Sequence, residues 1–341
     1  MEAESKRAPD DQGPGTARDD QRLEVSSLIE RVLGGDLRAL ARAISLIEDG
    51  SAEVTEIMHL ACATNDLAPI VGITGPSGAG KSSLVDALVA VYRRAGVTVG
   101  VLAVDPTSPL TGGALLGDRV RMNRHSGDAG VFVRSMATRG ALGGLAAAAY
   151  DALVLLTAAG FERLIVETVG VGQDEVDVAG VADTTCVVVT PGAGDEVQAI
   201  KAGILEVGDV FVLNKADLAG AEQAEAHLRA WVAGVQEDAW TPLVLRTVAT
   251  SEEGIEELHE AIERHASWLR TSGEASSKRR ALARLRLRSL LRDRLFRLAR
   301  AHGFSREHEA ELVAAIASGE LGAHVAVDRI IAAIGTSEEK S

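Results

Sequence analysis

The chain has 341 residues, 46% of them hydrophobic and only 3% aromatic, so a sizeable core must be built from Ala, Val, Leu and Ile. Its formal net charge of −14 argues against general nucleic-acid or anionic-membrane binding, because both need a positive field. The two cysteines, Cys62 and Cys186, show no disulfide or metal spacing and fit a reducing, cytoplasmic compartment.

Residues 1–22 are charged, contain Pro and Gly and lack an apolar run, which predicts a disordered tail rather than a signal peptide. Residues 23–67 read as a helical lead-in. Leu28, Val32 and Leu33 form one stripe, Gly34, Gly35 and Asp36 predict a stop and an N-cap, and Leu37, Leu40, Ile44 and Ile47 resume the stripe. A third helix is expected from Ser51, with Val54, Ile57, Met58 and Ala61 on its apolar side. His59 and Cys62 lie on adjacent turns, but two ligand-type side chains do not make a metal site.

Between residues 68 and 270 apolar runs alternate with helical segments, which predicts an α/β fold with a doubly wound, mostly parallel sheet. Strands are expected at Ile70–Thr74, Thr98–Val104, Val131–Arg134, Arg163–Glu167, Thr185–Thr190, Val210–Asn214 and Leu243–Thr247. Their near-continuous Val, Leu and Ile content fits burial on both faces. Cys186 falls in one such run and reads as an inert core residue. Ala141 to Gly160 is apolar over most of its length, yet Asp151 and several Gly make it a buried helix rather than a membrane span.

Ligands of such sheets bind at the carboxyl ends of the strands, and the chemistry-bearing residues fall there. After the first strand come Gly75, Pro76, Ser77, Gly78, Ala79, Gly80, Lys81 and Ser82, a P-loop at every fixed position, with Ser83 to Arg94 on helical spacing behind it. Backbone N–H groups of that turn and of the helix start converge on phosphate oxygens. Lys81 would reach the β/γ-phosphates and the Ser82 hydroxyl would ligate Mg²⁺. Asp105 ends the second strand ahead of a loop with Thr111, Gly112, Gly113 and Asp118. This suits a Mg²⁺-linked switch, or equally an acidic helix cap. Arg134 ends the third strand, with a Gly/Ser/Thr/Arg loop expected from Ser135 to Gly144.

The fourth strand runs into Glu167, Thr168, Val169 and Gly170, which resembles a Walker B element with Glu in place of Asp. Gly170 would offer its N–H to the γ-phosphate, and Gln173 is a candidate to orient the attacking water, although it lies further from the Gly than in the Ras-type pattern. Pro191 to Gln198, with Asp195 and Glu196, and then Lys201, form a Gly-rich charged loop that also reads as a capped turn. Asn214, Lys215, Ala216 and Asp217 match the N-K-x-D guanine motif. Asp217 would accept hydrogen bonds from guanine N1–H and the 2-amino group, which adenine cannot supply, so GTP is preferred over ATP. Asn214 would brace the loop, the Lys215 stem would cover the purine, and a backbone N–H near Ala249 would read O6.

Thr271 to Ser277 is a linker by composition, and residues 271–341 form a helical arm. Lys278 to Arg300 combines Arg with Leu282, Leu285, Leu290, Leu291, Leu295 and Leu298 at helical spacing, which favours an amphipathic packing helix over a nucleic-acid surface. Helices are also expected at Arg306–Ser318 and Leu321–Ile334.

Taken together, these segments resemble the MeaB/ArgK-type branch of the metallochaperone-like P-loop GTPases, the group of the methylmalonic aciduria type A protein. The segments at Val104–Ser108, Thr111–Gly113, Leu116–Asp118, Arg134–Gly144, Val166–Gln173, Pro191–Glu196 and Asn214–Asp217 carry that resemblance in order. It implies a GTP-hydrolysing chaperone of an adenosylcobalamin-dependent acyl-CoA mutase, typically methylmalonyl-CoA mutase, which gates cofactor delivery and protects or reactivates the enzyme. It further implies Mg²⁺ near Ser82, Asp105 and Glu167, a first switch with Asp118, a second with Gly170 to Gln173, and a third, mutase-facing switch with Asp195, Glu196 and Lys201. A homodimer through the C-terminal helices is expected, with an adenosyltransferase as a further partner and no cobalamin held by this chain itself. Hydrolysis is expected to be slow alone, with Arg119, Arg121 and Arg139 as candidates for an activating charge. Two other readings stand beside this one. A metal-insertion GTPase would call for Cys/His clusters, whereas the eight His are scattered. A P-loop small-molecule kinase would have little use for the guanine motif.

Overall fold

The computed structural model describes residues 14–62, 67–106, 123–125, 127–138, 144–168, 180–192, 207–234 and 240–338. The chain divides into two compact units, Met1–Lys278 and Arg279–Ser341.

Alternating burial drives the first unit. Strands β1 (Ile70–Thr74), β2 (Val99–Pro106), β3 (Val131–Thr138), β4 (Arg163–Thr168), β5 (Thr184–Val189), β6 (Val210–Asn214) and β7 (Leu243–Thr247) form one seven-stranded sheet. Its order is β3-β2-β4-β1-β5-β6-β7, and every pairing is parallel. On β5 and β6, Cys186, Val188, Val210 and Val212 face one layer, with helices α4 (Lys81–Arg94) and α7 (Ile255–Ser272). Their neighbours Val187, Val189, Phe211 and Leu213 face the other layer, with α6 (Ala221–Val232). The period of two thus buries both faces, as a parallel sheet requires. Helix α5 (Gly144–Ala158) lies along β2, β3 and β4, so the apolar stretch around Asp151 is a buried helix as expected. Among the described residues no helix is long and apolar enough to cross a membrane.

Helices α1 (Pro14–Leu33), α2 (Leu37–Glu48) and α3 (Val54–Cys62) pack on one another and on α5. Asp36 is the expected N-cap of α2: its side chain accepts from the backbone N–H groups of Arg38 and Ala39 at 2.8 and 3.1 Å. The edge strand β3 is tied to α2 through Arg134, which donates to Ser45 Oγ at 3.0 Å and pairs with Glu48.

Several element ends shift by a residue or more from expectation, and three of the differences change the reading. Helix α1 begins at Pro14, inside the stretch read as a tail. Strand β3 continues to Thr138 through residues expected as loop, because Ser135, Met136 and Ala137 pair with Ala103, Val104 and Asp105 and bury Met136. The expected linker is helical. Helix α7 ends at Ser272 and α8 (Glu274–Ala301) starts after Gly273, with the Glu274 N–H donating to Ser272 Oγ at 3.3 Å. Polar composition resembled a linker, but Glu274, Ala275 and Lys278 are competent helix formers. In the second unit, α9 (Arg306–Ala317) is capped by Ser305, which accepts from the His308 N–H, and α10 (Ala323–Glu338) follows.

Candidate functional site

The carboxyl end of β1 passes directly over the backbone of β5. Gly75 has φ 137°, and a Cβ there would overlap the Val188 carbonyl oxygen, so only glycine lets the loop leave the strand at this point. The loop closes with the Ala79 N–H donating to Pro76 O at 3.3 Å and ends at Gly80, the N-cap of α4, with φ 88°. No side chain caps α4, so the N–H groups of its first turn and the positive end of its dipole are presented to a ligand. Ser77 and Gly78 form the exposed crest of this turn, and Ser83 lies one residue into the helix behind Ser82.

Lys81 is 5% exposed, and its Nζ donates to Gly75 O and Pro76 O at 2.8 and 2.9 Å. The ammonium is therefore folded onto the carbonyls of its own loop. Ser82 Oγ donates to Glu167 Oε1 at 2.6 Å, and both residues are buried. Below them Thr168 Oγ1 donates to Thr74 Oγ1 at 3.1 Å, joining the ends of β4 and β1. The β2–β4 register pairs Ala103 with Glu167 and Val104 with Thr168, which puts Asp105 at the same sheet end, one strand over from Glu167. A serine hydroxyl and a carboxylate in direct contact are hard oxygen donors of the kind Mg²⁺ takes, alongside water and phosphate. Ser82 and Glu167 thus fit that ion.

The guanine motif is braced from three sides. Asn214, 2% exposed, donates through Nδ2 to Ala79 O at 2.8 Å. Its Oδ1 accepts from Thr247 Oγ1 and from the Ala249 N–H, both at 3.1 Å. Lys215 adopts φ 56°, unusual for a side chain other than glycine, and its Nζ donates to Gly78 O at 2.9 Å, so its stem lies across the P-loop. Asp217 is exposed. The penalty for an unmatched carboxylate therefore arises only when a purine covers it. The Ala249 N–H, expected to read guanine O6, is engaged by Asn214, so any base contact shares that donor. The motif spacing did not reveal Thr247 as a brace; a hydroxyl at the carboxyl end of β7 was the available signal.

Asp118, Gly170, Gln173, Asp195, Glu196 and Lys201 lie outside the described residues, as do Arg119, Arg121 and Arg139. Among the described residues no group of three or more His, Cys, Asp or Glu gathers as a metal cluster. Burial pushes the Cys186 thiol well above its ordinary range, in keeping with an inert core position.

This arrangement recurs in known proteins. The family described as methylmalonyl Co-A mutase-associated GTPase MeaB matches residues 40–303. A protein of Pyrococcus abyssi named as a GTPase is 51% identical over 264 residues, covering 75% of this chain and 80% of its own. The mouse mitochondrial homolog of the methylmalonic aciduria type A protein is 31% identical over 342 residues, covering 95% and 82% respectively. A solved structure titled as an LAO/AO transport system kinase superposes with a TM-score of 0.68 at 25% identity, covering 91% of this chain and 97% of that one. Similarity of this extent, over the same residues that build the P-loop and its guanine brace, makes this chain a GTPase of the MeaB family, the methylmalonyl-CoA mutase-associated GTPases.

Proposed function

We propose that this GTPase is a chaperone of an adenosylcobalamin-dependent acyl-CoA mutase, methylmalonyl-CoA mutase in the first instance, gating cofactor loading and protecting or reactivating its client. The observation that supports this reading is a P-loop and a guanine frame brought together at the carboxyl end of the sheet, with Ser82 on Glu167 and Asn214 on Ala79. Strands β4 and β5 flank β1 there, and β2 lies one strand further out.

In this reading the backbone from Gly75 to Ser83 cradles the phosphates. Lys81 leaves the Gly75 and Pro76 carbonyls for the β/γ-phosphates. Ser82, Asp105 and Glu167 would hold Mg²⁺, which neutralises charge developing on the phosphate oxygens. Gly170 would donate to the γ-phosphate and Gln173 would orient the water. Asp217 accepts from guanine N1–H and the 2-amino group, with Asn214, Lys215 and Ala249 forming the frame around the base. Asp118, Asp195, Glu196 and Lys201 belong to the surfaces that report nucleotide state to the client. Hydrolysis is slow alone, and a client that supplies or organises an activating charge, for which Arg119, Arg121 and Arg139 are candidates, can add on the order of 10³–10⁵ in rate.

We also infer a homodimer through the C-terminal arm. Leu287, Leu291, Leu295, Phe296, Val313 and Ile331 are all more than half exposed, and such apolar density supports an interface. The chain is expected to act in the cytoplasm, with no cobalamin of its own and an adenosyltransferase as an accessory partner.

The test is GTP turnover by the purified protein, alone and with an adenosylcobalamin-dependent mutase from the same cell. A slow basal rate that rises several-fold with mutase supports the chaperone. Turnover indifferent to every such mutase removes that client class and turns attention to metal insertion, whereas ATP turnover with a small acceptor revives the kinase.

A further inference from the structure

The loop between β7 and α7 holds Asn214 in place, and it contains a strained residue. Glu252 has φ 61°, in the left-handed region. The loop's own bonds are short-range: the Val248 N–H donates to Glu253 O at 3.0 Å, the Ser251 N–H to Val248 O at 3.1 Å, and Ser251 Oγ to Glu253 Oε1 at 2.8 Å. These bonds fold the loop but do not tie it to the rest of the unit.

Besides the Ala249 N–H bond to Asn214, the loop is tied to α4 and the Asn123–His125 turn through the Glu252 carboxylate. Arg94, the last residue of α4, donates from Nη1 to Glu252 Oε2 at 3.4 Å and from Nη2 to Glu256 Oε1 at 2.6 Å. Arg124 donates from Nη1 to Glu252 Oε1 at 2.6 Å and lies 3.7 Å from Asp86 Oδ2. The adjacent His125 places Nε2 3.1 Å from the Asp86 carbonyl, anchoring the short 3₁₀ turn Asn123–His125 on the flank of α4. One carboxylate is thus gripped by two guanidinium groups, one from the end of the P-loop helix and one from the Asn123–His125 turn. These charges hold the Glu252 carboxyl below its usual range.

Exposed ion pairs usually contribute little. Here, however, they hold a backbone conformation that a non-glycine residue otherwise avoids, and strain of that kind persists only where its surroundings enforce it. We propose that Glu252 and Arg124 are positioning residues for guanine-nucleotide retention. Their ion pair fixes the loop that presents the Ala249 amide to Asn214, beside the Thr247 hydroxyl at the end of β7, and so ties the Asn123–His125 turn to the base pocket. This rests on the guanine reading of Asn214 to Asp217.

The experiment measures release of a fluorescent GDP analogue from the full chain by stopped flow, at low and at high salt. Loss of such exposed pairs is worth up to about fivefold, so Arg124→Ala and Glu252→Ala should each release GDP about three to five times faster at low salt. The double variant should be no faster than Glu252→Ala alone, and the difference from wild type should shrink at high salt. Glu252→Gly, which accepts the left-handed backbone without strain, should release GDP about twofold more slowly than Glu252→Ala. Arg124→Lys keeps the charge without the fork and should recover part of the retention, which covers the case in which the alanine variants fold poorly. Wild-type release rates in Arg124→Ala and Glu252→Ala, with Asp217→Asn still accelerating release, would overturn the positioning role alone. If Asp217→Asn also leaves release unchanged, the guanine reading fails and the proposal falls with it.

Discussion

The two ends of the sheet are both rich in buried polar groups, yet they use them differently. At the amino ends of the strands, most of these polar groups bond to one another, although the buried His265 Nε2 and Arg163 Nε have no hydrogen-bond partner. Asp183 Oδ2 accepts from the Ile70 N–H, and Asp209 Oδ2 from the Thr185 N–H, each at 2.8 Å. Thr184 Oγ1 meets His265 Nδ1 at 2.8 Å, while His265 stacks on Trp268. At the carboxyl ends the partners are loop carbonyls and a neighbouring carboxylate. Lys81 rests on the carbonyls of its own loop and Ser82 on Glu167, groups whose charge or oxygen atoms suit a phosphate and a cation better. The backbone there is also strained, at Lys215 and Glu252. What sets the carboxyl ends apart is strained backbone beside buried charged and hydroxyl groups that face the P-loop.

The sharpest way to break this contrast is Lys81→Ala. Loss of the cation aimed at the transferring phosphoryl group should lower GTP hydrolysis by on the order of a hundredfold or more, with folding retained by circular dichroism. Near-normal turnover would make Lys81 a structural residue like those at the other end. Gly75→Ala should lose roughly 2–4 kcal/mol of stability, since its Cβ meets the Val188 carbonyl and the φ is unfavourable; urea midpoints measure this. Asp217→Asn should weaken GTP by roughly 1–3 kcal/mol and turn preference towards xanthosine triphosphate, read by competition binding. Unchanged GTP affinity would remove Asp217 from base recognition.

The smallest effect concerns the opposite end. Burial first, with the Lys278 charge second, lowers the His265 pKa from 6.5 to about 3, against the nearby Asp209 carboxylate, itself raised mainly by burial. The unfolded chain binds a proton below pH 6.5 that the folded chain refuses until about pH 3. Stability from this group is therefore complete above pH 6.5 and falls on acidification, by about 1.4 kcal/mol per pH unit for one proton. Asp209 titrates in the opposite sense, so the informative quantity is the difference between wild type and His265→Gln in urea melts from pH 7 to 5. An identical pH slope in the two would mean that His265 is not held neutral.

Strands β1 and β6 begin and end as expected, because a strand buried on both faces admits few polar residues. The P-loop and N-K-x-D motifs were equally legible, since each needs particular residue types at consecutive positions. Strand β3 was read short because Arg134 and Ser135 look like the end of a run, and only pairing with β2 keeps them in the sheet. The stretch from Thr271 was misread because its polar composition suits a linker and an exposed helix alike.

By itself the chain's order of residues determined the fold class, the phosphate loop and the guanine motif, all of which rest on local spacing and periodicity. Tertiary structure alone decided that Ser82 meets Glu167 across 85 positions, that Asn214 is held by Ala79, Thr247 and Ala249, and that Glu252 is clasped from Arg94 and Arg124. Those pairings depend on which strand ends the parallel sheet sets side by side, and strand order is a property of the packed core that no short stretch of sequence encodes.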